Sequence, residues 1–129
     1  MNAARAYARA TNETASKERL MVLLFEAALK HMRAGASHLE AGDVKAGLPL
    51  LTKASDIVTE LAGTLNASMA PELAELLGDV YLFVSQRLAV ASLSKAAAPV
   101  REAERAFAPV VEGFQQAVAQ MAGSQVEAR

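Results

Sequence analysis

A chain of 129 residues, 53% hydrophobic, 5% aromatic and with a net charge of −1, is long enough to bury one core. It is too weakly charged to be drawn to nucleic acid or to an anionic membrane. The absence of cysteine excludes disulfides, thiolate metal sites and cysteine nucleophiles. Seven glycines and four prolines are too few for a loop-rich or all-β chain, while alanine and leucine between Glu, Gln, Lys and Arg favour helix.

Charge is spread only slightly unevenly. Residues 1–42 carry six Lys/Arg and four Asp/Glu, and residues 43–129 carry seven and ten. The start, MNAARAYARATNETASK, has no apolar stretch of the kind that targets a chain for secretion. The strongest apolar run, Leu20 to Phe25, is too short to cross a membrane. The expectation is a cytoplasmic protein.

In chain order, residues 1–15 read as a mobile arm, with Tyr7 as its one large apolar residue. A first helix is predicted from Ser16, as N-cap, to Ala41, with Glu18 in its first turn. Leu20, Met21, Leu23, Leu24, Phe25, Ala28 and Met32 make its first half apolar nearly all round, so it needs cover on more than one side. Gly42 suits the position after the helix, and Asp43 can cap the next one.

The second helix is predicted over Val44–Asn66. Val44, Leu48, Leu51, Ser55, Val58, Ala62 and Leu65 alternate by four and three, a heptad seam; Leu50, Ala54, Ile57 and Leu61 form a second row. Pro49 should bend or fray its start. A third helix runs from Pro71 at the first helical position to about Leu93. Its rows are Leu73, Leu77, Val80, Val84, Arg87, Ala91 and, beside them, Leu77, Tyr81, Val84, Leu88. The fourth follows Pro99 with Val100, Ala103, Phe107, Val110, Phe114, Ala117 and Met121, kinked at Pro109. Short connections make sequential helices antiparallel neighbours. The expected architecture is all-α, an antiparallel up-down four-helix bundle over residues 16–122, with the mobile N-terminal arm before it and a frayed tail at 123–129.

Candidate chemistry is sparse. His31 and His38 are seven residues apart, about 10 Å along a helix, too far for one metal. Neither follows a glutamate by three, as the di-metal bundles require. Glu72, Glu75 and Asp79, and likewise Arg101, Glu102, Glu104 and Arg105, read as solvated helix faces. No phosphate loop, dinucleotide fingerprint or nucleophile elbow occurs. No catalytic, cofactor or metal residue is expected, and the chain does not read as an enzyme. What remains is surface. A bundle core uses about three positions in seven. Surplus apolar rows imply either a groove for a partner's helix or homodimerisation, and the pattern does not choose between them.

One set of landmarks resembles a known family. Ala6-Tyr7 in the arm is followed by Thr14-Ala15-Ser16 and by LLFEAAL at Leu23–Leu29. Gly42-Asp43 comes next, then KASDIVTEL at Lys53–Leu61 with Thr64–Asn66, and VYLFVSQRL with Ala91. This succession resembles the FliS-type flagellar secretion chaperones over about residues 6–120. Departures include Lys17 where that family usually has proline, Phe25 for a tyrosine, and Phe114 for a tryptophan.

The resemblance implies an export chaperone without cofactors. It would cover the disordered C-terminal segment of flagellin in apolar interhelical grooves, preventing premature polymerisation before secretion. Export-apparatus components are candidates for a second partner, and the chaperone itself is a monomer or weak homodimer. The expected partner-binding residues are Leu48, Leu51, Ser55, Val58, Val80, Tyr81, Val84, Arg87 and Leu88. Tyr81, Val84 and Leu88 form a packing row with the tyrosine hydroxyl at the core edge, and Val80 and Arg87 lie at the rim. The resemblance adds Tyr7, as a removable lid. The alternatives are another helical secretion chaperone or adaptor, or a self-associating structural bundle.

Overall fold

The computed structural model describes residues 13–65 and 70–127, and all regular structure among them is helical. The helices are α1 (Glu13–Glu40), α2 (Val44–Ala62), α3 (Pro71–Ser94) and α4 (Ala98–Glu127). Each packs against its two neighbours in the order α1, α2, α3, α4 and back to α1. This ring is an up-down four-helix bundle, as the pattern predicts.

Three boundaries differ from the sequence expectation. α1 starts at Glu13, with Ser16 inside its first turn; no breaker separates them, and an acidic residue suits a helix start. α2 ends at Ala62 instead of Asn66. There Gly63 weakens the helix, and the Thr64 hydroxyl donates to the Leu61 carbonyl at 2.7 Å. α4 continues to Glu127, beyond the last apolar position of its row. α2 and α4 both remain helical through their internal prolines, Pro49 and Pro109.

The α1–α2 turn follows from two residues. Gly42 adopts φ +81°, which glycine alone reaches without strain. Its N–H donates to the Leu39 carbonyl at 3.0 Å, and the Asp43 N–H donates to that of His38 at 2.8 Å. These two bonds close a Schellman motif. Asp43 then accepts from the Ala46 N–H at 3.2 Å and caps α2. At the α3–α4 turn a lysine, Lys95, takes the left-handed position at φ 57°, and the Ala96 N–H donates to the Ala91 carbonyl.

Phe25, Met32, Leu51, Val58, Leu77, Val84, Leu88, Val100 and Phe107 are among the fully buried side chains. In α2 the buried row is Gly47, Leu51, Ala54, Val58 and Leu61. The predicted seam is therefore rotated: Leu48 and Ser55 are half-buried and Ala62 is exposed. The reason is a close approach of α1 and α2 at Gly35 and Gly47. A Cβ on Gly47 would lie 3.2 Å from the Gly35 carbonyl oxygen and 3.0 Å from Leu39 Cγ. The contact turns the Gly47 face of α2 inward.

This contact generates a paired expectation. Gly47→Ala gains up to about 1 kcal/mol of helix propensity but overpacks a backbone carbonyl that cannot rotate away. It should lower stability by a net amount of about 1 kcal/mol. Gly113→Ala meets nothing within 4 Å and should raise stability by up to about 1 kcal/mol. Urea unfolding of the two variants checks the opposite signs.

Candidate binding surface

α3 is the helix that exposes apolar side chains. Of the eight large hydrophobics exposed among the described residues, six lie on it: Leu73, Leu76, Leu82, Phe83, Val90 and Leu93. Its core row is Leu77, Tyr81, Val84, Leu88 and Ala91. A second row, Leu76, Val80, Phe83, Arg87 and Val90, alternates by four and three along one flank.

The guanidinium of Arg87 reaches Glu102 of α4 at 3.9 Å, so this flank faces α4. The helices run antiparallel, and successive turns bring Phe83 level with Ala106, Val80 with Val110, and Leu76 with Gly113. Ala106 and Val110 are half-buried, and Gly113 has open space above it. The result is an apolar row on the α4 side of α3, interrupted by the Arg87–Glu102 ion pair. Exposed apolar side chains grouped in this way make the flank a candidate binding surface.

The residues expected to bind a partner divide into groups. Leu51, Val58, Tyr81, Val84 and Leu88 are buried in the core. Val80 and Arg87 are half-buried on the α4 side of α3, and Val80 packs against the core edge. Leu48 packs half-buried against the core edge. Ser55 meets Leu51, Thr52, Asp56, Leu88, Ala89 and Ser92 around a shallow α2–α3 cleft of about 150 Å³. That volume is too small for a helix or a drug-sized ligand. Tyr7 lies outside the described residues. Leu76, Phe83 and Val90 were not among the expected residues, although their spacing repeats that of the rows counted beside them.

Tyr81 is 2% exposed, deeper than a place at the core edge. Its hydroxyl has no hydrogen-bond partner among the described residues, and burial pushes its pKa up to about 12. Its ring lies 6.5 Å from that of Phe25, which also meets Phe107 at 5.7 Å and Phe114 at 4.8 Å.

Part of the α1–α4 side is built from charge. Arg101 donates through Nε and Nη2 to the Glu40 carboxylate at 3.0 and 2.8 Å, and through Nη1 to Glu104 at 2.8 Å. Arg33 Nε donates to the other oxygen of Glu104 at 2.8 Å. Gln115 donates to Glu26 farther along the same side. Arg101 and Glu104 are thus tied to α1 and do not simply face solvent. Glu102 pairs with Arg87, whereas Glu72, Glu75, Asp79 and Arg105 are exposed.

Partial burial alone would raise the Glu104 pKa, but hydrogen bonds from Arg101 and Arg33 outweigh it and hold the carboxyl below its ordinary value. His31 is held below its own ordinary value by burial and by Lys53 and Lys30. Among the described residues, no group of three or more His, Asp or Glu side chains is placed to hold a metal.

Two measurements follow. A carboxyl with a depressed folded pKa stabilises the fold above its unfolded pKa, and that contribution is lost as pH falls through the folded value. Glu104→Gln should therefore cost about 1 kcal/mol at neutral pH. Its deficit against the parent should shrink as pH falls below the ordinary glutamate range and close once the folded carboxyl is protonated, in thermal melts across pH. On α3, Phe83→Ser and Leu76→Ser should stay within about 0.5 kcal/mol of the parent. Leu88→Ala should cost about 2–5 kcal/mol. Urea melts would separate surface from core in this way.

Comparisons with known proteins identify the family. The family model described as flagellar protein FliS matches residues 1–121. The flagellar secretion chaperone FliS of Bacillus subtilis (strain 168) is 28% identical over 113 residues, covering 88% of this chain and 84% of that protein. The family match runs through all four helices, and with it the chain belongs to the FliS family of flagellar secretion chaperones.

Proposed function

We propose that this protein is a cytoplasmic export chaperone that binds the disordered C-terminal segment of flagellin and keeps it from polymerising before secretion. The observation that carries the reading is the exposed apolar row of α3, Leu76, Phe83 and Val90 with half-buried Val80 between them, taken here as one wall of a furrow beside α4. An amphipathic segment can lay its own apolar stripe along such a furrow, with anchors at i, i+3, i+4 and i+7. The client gives up ordering entropy and recovers it through the area it buries. Binding of this kind needs neither cofactor nor nucleotide.

α3 is long and apolar enough to pass a length-and-composition test for a membrane span. The bundle accounts for that composition differently. One row of α3 fills the core, and the flanks carry Glu72, Glu75, Asp79 and Arg87 beside the exposed leucines. Arg87 suits the furrow's rim, where its stem can lie on apolar surface while its charge stays near Glu102. Leu48 and Ser55 extend the reading to the edge of α2 as weaker contacts. Tyr7 enters it as a removable cover of the client surface, on the strength of the resemblance alone.

The decisive experiment is calorimetric titration with the C-terminal segment of flagellin from the same organism. The expected result is 1:1 binding with a large negative heat-capacity change. Phe83→Ser and Leu76→Ser should each weaken binding by about tenfold or more, the equivalent of 1.4 kcal/mol. Absence of binding at tens of micromolar by the folded protein would overturn the reading. Tyr7→Ala belongs in the same series, and unchanged affinity and solubility would remove the lid.

A further inference from the structure

The fastenings that join α1 to α2 and to α4 pass α3 by. The glycine contact at Gly35 and Gly47 and the Arg33–Glu104–Arg101–Glu40 network lie entirely on α1, α2 and α4. Among the described residues no side-chain hydrogen bond joins α3 to another helix. Its N-cap, Ala70, makes no side-chain bond, whereas Asp43 caps α2. At its other end Lys95 stands at φ 57°, where glycine is the usual residue. Between the ends, Tyr81 is 2% exposed and its hydroxyl has no hydrogen-bond partner among the described residues. Such a hydroxyl destabilises the packed state against any state in which water reaches it.

We propose that α3 is a conformational switch: it leaves the bundle as a unit while α1, α2 and α4 stay packed, and Tyr81 sets how often it does so. The remainder keeps its own contacts. When Tyr81 departs, the Phe25 ring still meets Phe107 and Phe114, both on α4. The glycine contact and the arginine–glutamate network are untouched. What α3 gives up is one apolar row, Leu77, Tyr81, Val84, Leu88 and Ala91. Hydration of the tyrosine hydroxyl offsets part of that loss. The α2–α3 border already carries Thr52, Ser55, Asp56 and Ser92 around its cleft, polar side chains that do not hold an apolar seam shut.

Sub-global openings need less free energy than global unfolding, and the elements that move in binding are drawn from the low-stability end of a fold. Here the weakly fastened helix is also the one that carries most of the exposed large hydrophobics among the described residues. A ligand that bridges the Leu76–Phe83 row to α4 binds only the closed state and shifts α3 toward it. Occupancy of that row and the order of α3 are then one equilibrium. This last step rests on the function proposed above; the opening itself does not.

Native-state hydrogen exchange of the full chain, without client, tests the opening. Corrected for intrinsic rates, amides of residues 81–88 should exchange about tenfold or more faster than those of residues 25–32 and 103–107. Tyr81→Phe keeps the ring and removes the hydroxyl. It should slow exchange across α3 by about fivefold or more. Glu104→Gln weakens the α1–α4 network, which is intact whether α3 is closed or open. It should speed exchange in α1 and α4 by about fivefold and leave that of α3 unchanged. Three results would each overturn the proposal: an α3 protected as strongly as α1, α3 exchange that Tyr81→Phe does not slow, or α3 exchange that Glu104→Gln speeds along with α1 and α4. The last is the behaviour of a bundle that opens only as a whole. No client enters these measurements, so failure of flagellin to bind is a separate result.

Discussion

Phe25 is the side chain on which the packing turns. It is fully buried, and its ring meets Tyr81 of α3 and both Phe107 and Phe114 of α4. One residue of α1 therefore reaches across the bundle to the diagonal helix and also to a neighbour. A core filled by two phenylalanines and a tyrosine needs only one row from α3, and Leu77, Tyr81, Val84, Leu88 and Ala91 supply it. Val80 packs against the edge of that core, and the exposed apolar residues of α3 are surplus to it.

The sides of the bundle are held by different forces. α1 and α2 approach at Gly35 and Gly47, where no side chain intervenes. α1 and α4 are joined by the Arg33–Glu104–Arg101–Glu40 network. Exposed ion pairs are individually weak, but Arg101 binds Glu40 through two nitrogens and Glu104 through a third, and such shared geometry is the stronger kind. α3 has neither device. Its one ion pair to α4, Arg87–Glu102, is long at 3.9 Å. Charge and close backbone contact help hold α1 to both of its neighbours, and most of the exposed large apolar side chains among the described residues lie on the helix diagonal to it.

Much of the fold was legible in the sequence because the signals were local. Gly42 and Asp43 announce a turn by conformational preference and capping, and Pro71 announces a helix start. The register of α2 was not legible. Two adjacent rows, one through Leu48 and Ser55 and one through Leu51 and Ala54, are both apolar enough to face inward. Only the glycine contact with α1, a long-range fact, decides between them. The same ambiguity hid the binding surface. Periodicity shows that α3 has several apolar rows but not which one the core takes. Tyr81 and Leu88 turned out to be core, and Leu76 and Phe83, on the next row, are open. The Arg101–Glu104 network was equally invisible, because its partners lie some sixty to seventy residues away on α1.

The electrostatics add a constraint on those open rows. A chain with a net charge of −1 and a pI near 6.1 has almost no self-repulsion at neutral pH, and colloidal stability usually rests on a charge well away from zero. Exposed Leu76, Phe83, Leu82 and Leu93 on such a chain meet other copies with little electrostatic resistance. Surface of that kind stays soluble when its contacts are directed. On the Leu76–Val90 row, direction comes from a furrow shaped by α4 and bounded by Arg87. On the Leu82–Leu93 face, Glu75 and Asp79 set negative charge beside the leucines. The acidic residues that read as an ordinary solvated face in the sequence thereby gain a role: they limit how the leucines between them can be covered.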